Sequence, residues 1–122
     1  MKKNQSFSLR ARGRSFKYAF NGLREFLGGQ HNAWIHLVAT TFVFLLTIAI
    51  PVSTSEMITL ILATGFVWVA ELFNTAIEKL MDFISEKQDN RIKVIKDISA
   101  GAVLLAATTA LIVGCIVFIP KL

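Results

Sequence analysis

The chain has 122 residues, 54% of them hydrophobic and only 17% charged, with a formal net charge of +5 and a mean hydropathy of +0.59. That balance excludes an ordinary water-soluble domain, and the length allows one compact membrane unit spanning residues 1–122. The single cysteine, Cys115, cannot form an internal disulfide and is read as a packing residue.

The N-terminal segment is basic and polar and lacks the continuous apolar core of a signal peptide. Phe16, Phe20, Leu23 and Leu27 recur at helical spacing among basic residues, which predicts an amphipathic surface helix over about residues 15–27. Its charge would also suit attraction to anionic lipids. Gly28-Gly29 separates it from a first apolar span over about residues 33–52, in which His36 is the sole residue able to carry charge. A lone histidine there is expected to hydrogen-bond a neighbouring helix. Pro51 and the small hydroxyl residues after it predict a turn. A second span follows over about residues 56–85, with Ser53 or Ser55 as cap and Glu56 in its first turn. At about 1.5 Å per residue it is roughly 45 Å long, so its last turns should emerge from a hydrocarbon layer of about 30 Å. The third span covers about residues 98–119 and ends at Pro120, with Ser99-Ala100-Gly101-Ala102 and Gly114 offering small positions for close packing. The expected fold is an all-α membrane protein of three transmembrane helices preceded by the amphipathic helix. Trp34 and Trp68 are read as interface or packing aromatics.

Seven of the thirteen basic residues precede the first span, and Lys87, Arg91, Lys93 and Lys96 fill the connection between the second and third. The turn after Pro51 has none. By the positive-inside rule the N-terminus and second connection are cytoplasmic.

Polar groups inside the second span require a reason. On a helix, Asn74 lies about 60° from Glu71, while Glu78 and Asp82 each return to within about 20° of it. One face therefore carries three carboxylates and an amide. Ionised carboxylates cost a few kcal/mol at the centre of a bilayer, so such a stripe must face protein, water or a bound cation. A buried, metal-assisted reaction site near the cytoplasmic side is the leading reading. No glycine-rich phosphate loop of the soluble nucleotide-binding kind is present.

The string Glu71-Leu72-Phe73-Asn74-Thr75-Ala76-Ile77-Glu78, followed by Asp82 and by Lys96-Asp97-Ile98-Ser99-Ala100-Gly101-Ala102, closely resembles the signature of the prokaryotic diacylglycerol kinase family, which includes undecaprenol kinases. Upstream, Ser15-Phe16-Lys17-Tyr18-Ala19-Phe20-Asn21-Gly22-Leu23 is similar to that family's amphipathic helix. The resemblance implies a multi-pass homotrimer of the bacterial inner membrane that transfers the γ-phosphate of ATP, with Mg²⁺, to diacylglycerol or undecaprenol. No nucleic-acid partner is expected. It further implies that Glu71 is the catalytic carboxylate and Asn74 a polar group beside the reacting centre. Glu78 and Gln30 would then hold the metal, and Tyr18, Lys87, Asp89, Lys96 and Asp97 the nucleotide. The N-terminal arginine associated with the nucleotide is Arg10, Arg12 or Arg14.

Two positions depart from the family's pattern. Gln30 stands where relatives usually carry a metal-holding Glu; its amide oxygen can still ligate but brings no charge, unless Glu25 or another group substitutes. Trp34 stands where many relatives have a basic residue. The Asn32-x-x-Ile35-His36 pattern resembles the undecaprenol-type branch. A non-catalytic scaffold of the same fold and a small proton-linked transporter using Glu71 as its relay are the alternatives; the Lys96-Asp97 motif and the lack of an evident inverted repeat weigh against the transporter.

Overall fold

The computed structural model describes residues 7–29 and 31–122, and the described chain is helical with no strand. It divides between Trp34 and Ile35 into two compact units. In the first, α1 runs over Leu9–Gly29 and buries Phe26. It begins about two turns before the apolar spacing suggests. Ser8 is the reason: its hydroxyl accepts the Ala11 backbone N–H at 3.3 Å, satisfying a donor that the first turn otherwise leaves unpaired. Gln30 lies outside the described residues, so its assignment as a metal ligand has no structural counterpart here.

α2 covers His31–Ala49, α3 Thr54–Ile84 and α4 Asn90–Phe118, with a short 3₁₀ turn, Ile119–Lys121, at the end. Among the described residues three helices are long and apolar enough to cross a membrane. Pro51 stops α2, because it has no N–H to donate and restricts the residue before it. Ser53 then caps α3 in a reciprocal box: its hydroxyl accepts from Glu56 N–H at 3.1 Å, while the Glu56 carboxylate accepts from Ser53 N–H at 2.9 Å. Of the two expected caps, Ser53 is the one used.

α4 starts eight residues before the apolar span does. Its first two turns are polar, and Asp89 caps them by accepting the Arg91 N–H at 2.8 Å. The Arg91 side chain closes on the same carboxylate at 2.9 Å. That side-chain bond, with the backbone bond next, holds the Asp89 carboxyl at about 2, below its ordinary 3.8. A depressed carboxylate stabilises the folded state above its unfolded pKa, and this contribution fades as pH falls from 3.8 towards 2. An NMR titration of Asp89 is therefore expected to show a midpoint near 2, and Arg91→Gln to move it up towards 3.8.

α3 and α4 pack as an antiparallel pair. Side-chain ties mark their register: Asp82 to Lys96 and Glu56 to Lys121 near the two ends, and Asn74 to Ser99 between them. α2 joins through side chains. Near the α2–α3 turn, Val43, Leu46, Ile50 and Val52 pack on the buried cluster of Leu60, Val117 and Phe118. Elsewhere large apolar residues such as Phe42, Leu62, Leu104 and Ile116 face outward, as expected where the surrounding medium is hydrocarbon. Hydroxyls on these surfaces bond back to their own helices: Thr41 to the Leu37 carbonyl, Thr108 to Leu104 and Thr109 to Leu105, each at 2.8 Å.

Candidate active site

The polar stripe of α3 grades from buried to exposed. Glu71 is 3% exposed, Asn74 is buried, Glu78 is half-buried, and Asp82 is open to solvent. The shared face read from the sequence thus holds, with burial falling along it from Glu71 to Asp82.

Each buried member has a partner on another helix. The Glu71 carboxylate meets the His36 ring, Nε2 to Oε1, at 2.7 Å. His36 is therefore the interhelix hydrogen-bonding residue expected, and its partner is the carboxylate at the centre of the site. Thr40 donates to the His36 carbonyl at 2.7 Å and accepts the Trp68 indole N–H at 2.9 Å. The Trp68 and His36 rings meet edge to face, with centroids 6.3 Å apart. Asn74 Oδ1 accepts the Ser99 hydroxyl at 2.8 Å.

The Ser99 bond was not legible in the sequence, where Ser99 reads as a small packing position. Both partners are buried, so Ser99→Ala leaves an unpaired amide oxygen between α3 and α4. The variant is expected to lose about 0.5–2 kcal/mol of stability, measured by denaturant unfolding in mixed micelles.

At the α3–α4 connection a polar cavity of about 640 Å³ is lined by Lys87, Asp89, Lys96 and Asp97, with Asp82, Ser85 and Glu86 among its other walls. Four of the expected nucleotide-binding residues thus come together. Lys96 and Asp97, adjacent in sequence, do not pair with one another. Lys96 donates to Asp82 at 2.6 Å, and Lys93 donates to Asp97 at 2.6 Å one turn earlier on α4. Tyr18 is exposed on α1, in the first unit. Among the described residues no three His, Cys, Asp or Glu side chains are grouped to hold a metal. Glu78, the carboxylate expected to hold the metal, is half-buried on the same face of α3 as Glu71.

A second, apolar groove of about 440 Å³ runs between α2, α3 and α4. His36, Thr40 and Trp68 form its polar end; Ala107, Ala110, Gly114 and Cys115 leave it open along α4, and Phe118 lies at the far end.

A helical membrane protein with a buried carboxylate, a charged cavity at one end of its span and an apolar groove meeting that carboxylate's partner has the parts of an enzyme acting on a lipid. The profile of the family described as prokaryotic diacylglycerol kinase matches residues 17–118. The chain belongs to that family, a family of membrane lipid kinases. It is 34% identical over 109 residues to a Bacillus subtilis protein named undecaprenol kinase, with 89% of each chain covered. It is also 34% identical over 109 residues to a Synechocystis sp. diacylglycerol kinase, covering 88% of this chain and 62% of that longer relative.

Proposed function

We propose that the protein transfers the γ-phosphate of ATP to the hydroxyl of a membrane lipid alcohol, undecaprenol or diacylglycerol. The observation that carries the reading is Glu71, a carboxylate buried within a membrane span on the same helix pair as the charged cavity. Glu71 accepts the proton of the lipid hydroxyl as its oxygen attacks the γ-phosphorus, and the bond from phosphorus to the β–γ bridging oxygen breaks to release ADP. Lys96 and Lys87 offset phosphate charge in the cavity, with Asp89 and Asp97 around the nucleotide and Tyr18 as its aromatic contact. Asn74 lies one turn from Glu71 and steadies the reacting groups. Glu78 would hold Mg²⁺, with the Gln30 amide oxygen as a weaker second donor; when bound, the ion neutralises charge developing on the transferring phosphate.

The apolar groove ending at His36 suits a hydrocarbon chain whose hydroxyl reaches Glu71. Undecaprenol is placed first because the relative matching in length bears that activity in its name. The small shared core of one chain favours sites completed between subunits, and the family resemblance adds that the assembly is a homotrimer. The basic N-terminus and second connection favour a cytoplasmic position for the charged cavity, and the inner membrane is the location the family resemblance implies. The test follows label from γ-³²P-ATP with Mg²⁺ into undecaprenol and into diacylglycerol, each in mixed micelles with folded protein. Label in either lipid supports the kinase and ranks the acceptors. Absence of label in both removes these substrates and favours a non-catalytic scaffold.

A further inference from the structure

We infer that His36 is a positioning residue for Glu71: its ring donates a hydrogen bond that fixes which carboxylate oxygen is left to take the substrate's proton. The inference deepens the general-base reading of Glu71 and rests on it.

An ionised carboxylate has only acceptors. At 2.7 Å from Oε1, the His36 Nε2 therefore carries the hydrogen whenever Glu71 is the base. Oε1 is thereby engaged, and Oε2 has no partner among the described residues. The two oxygens, equivalent in the free side chain, become a held one and an available one.

The donor is itself held. Thr40 spends its hydroxyl hydrogen on the His36 carbonyl and takes the Trp68 indole N–H in return, while the Trp68 ring meets the imidazole edge to face. These contacts tie α2 to α3 within one turn of Glu71, so the ring direction is set by two helices together. Glu71 has a torsion-rich side chain, and a carboxylate free to turn would spend much of its time facing away from the hydroxyl. Misplacement of a reacting group by about 1 Å can cost about 100-fold in rate.

The arrangement also gives a histidine a use within the apolar part of α2. The Glu71 side chain is 4% exposed and His36 18% exposed, so the carboxylate's buried side is covered by a group that can donate without bringing a permanent charge into the apolar layer.

The test measures kcat and KM for ATP and lipid acceptor in mixed micelles for wild type, His36→Phe, His36→Gln, Glu71→Gln and the Phe/Gln double variant. Phe keeps an aromatic ring against Trp68 and removes the donor; Gln supplies an amide N–H at comparable reach. His36→Phe is expected to lower kcat about 10- to 100-fold with both KM values unchanged, and His36→Gln to stay within about 3-fold of wild type. In the Glu71→Gln background, His36→Phe should add no further loss. Wild-type kcat in His36→Phe overturns the inference, as does a His36→Gln variant as slow as the Phe variant, or a change confined to KM. Helicity and melting temperature report folding, and a Phe variant that unfolds is replaced by His36→Met under the same criteria. Full activity of Glu71→Gln overturns the reading of Glu71 as base. An inactive Glu71→Gln beside a fully active His36→Phe leaves that reading in place and removes only the role given to His36.

Discussion

Glu71→Gln is expected to reduce phosphoryl transfer about 100- to 10,000-fold, the range associated with loss of a general base, while helicity and melting temperature in micelles stay at wild type. The substitution is nearly isosteric. A glutamine oxygen still accepts from His36 Nε2, so the 2.7 Å link between α2 and α3 is retained in kind. What disappears is the capacity to take a proton. Burial makes the separation clean, because at 3% exposure water has little access to substitute as base. A residual rate within about 10-fold of wild type would place proton removal on another group.

The second large effect is expected at Lys96. Lys96→Met should lower kcat/KM for ATP about 10- to 100-fold, as loss of a charge-assisted contact to phosphate does. Stability should barely change: the Lys96–Asp82 pair is exposed, and such pairs contribute about 0–1 kcal/mol. The structure adds a counter-test. Asp82 accepts from Lys96 at 2.6 Å, so under the proposed role that carboxylate competes with phosphate for the ammonium. Asp82→Asn is accordingly expected to leave KM for ATP unchanged or lower it, opposite in direction to Lys96→Met. Initial-rate measurements over an ATP series distinguish the two.

The sequence carried the membrane class, the three spans and the polar face of α3, because each follows from one-helix periodicity or from an unmistakable breaker such as Pro51. It also marked His36 as an interhelix bond, since an imidazole in an apolar span has few other uses. Its partner was less legible. Which residue on α3 faces His36, or which on α4 faces Asn74, depends on the register between helices, and no single-helix pattern encodes that. Lys96-Asp97 shows the same limit: neighbours in sequence point about 100° apart on a helix, so they found Asp82 and Lys93 instead of one another. The helix starts were missed for a local reason. Ser8 and Asp89 are caps set ahead of polar turns, where apolar spacing has nothing to report. The roles assigned to Tyr18 and Gln30 came from the motif alone.

The length of α3 has a bearing on where the chemistry occurs. Thr54–Ile84 is 31 residues, about 46 Å at 1.5 Å per residue, against a hydrocarbon layer of about 30 Å. Measured from Thr54, Glu71 lies about 26 Å along the helix and Glu78 about 36 Å, so with Thr54 at one edge of the hydrocarbon the other edge would fall between the proposed base and the proposed metal-binding carboxylate. The helix is thus a ruler laid across the bilayer. A thicker bilayer would sink Glu71 deeper below the interface and a thinner one would bring it nearer to water, so acyl-chain length in the host membrane is expected to act on the reaction alongside the substrate itself.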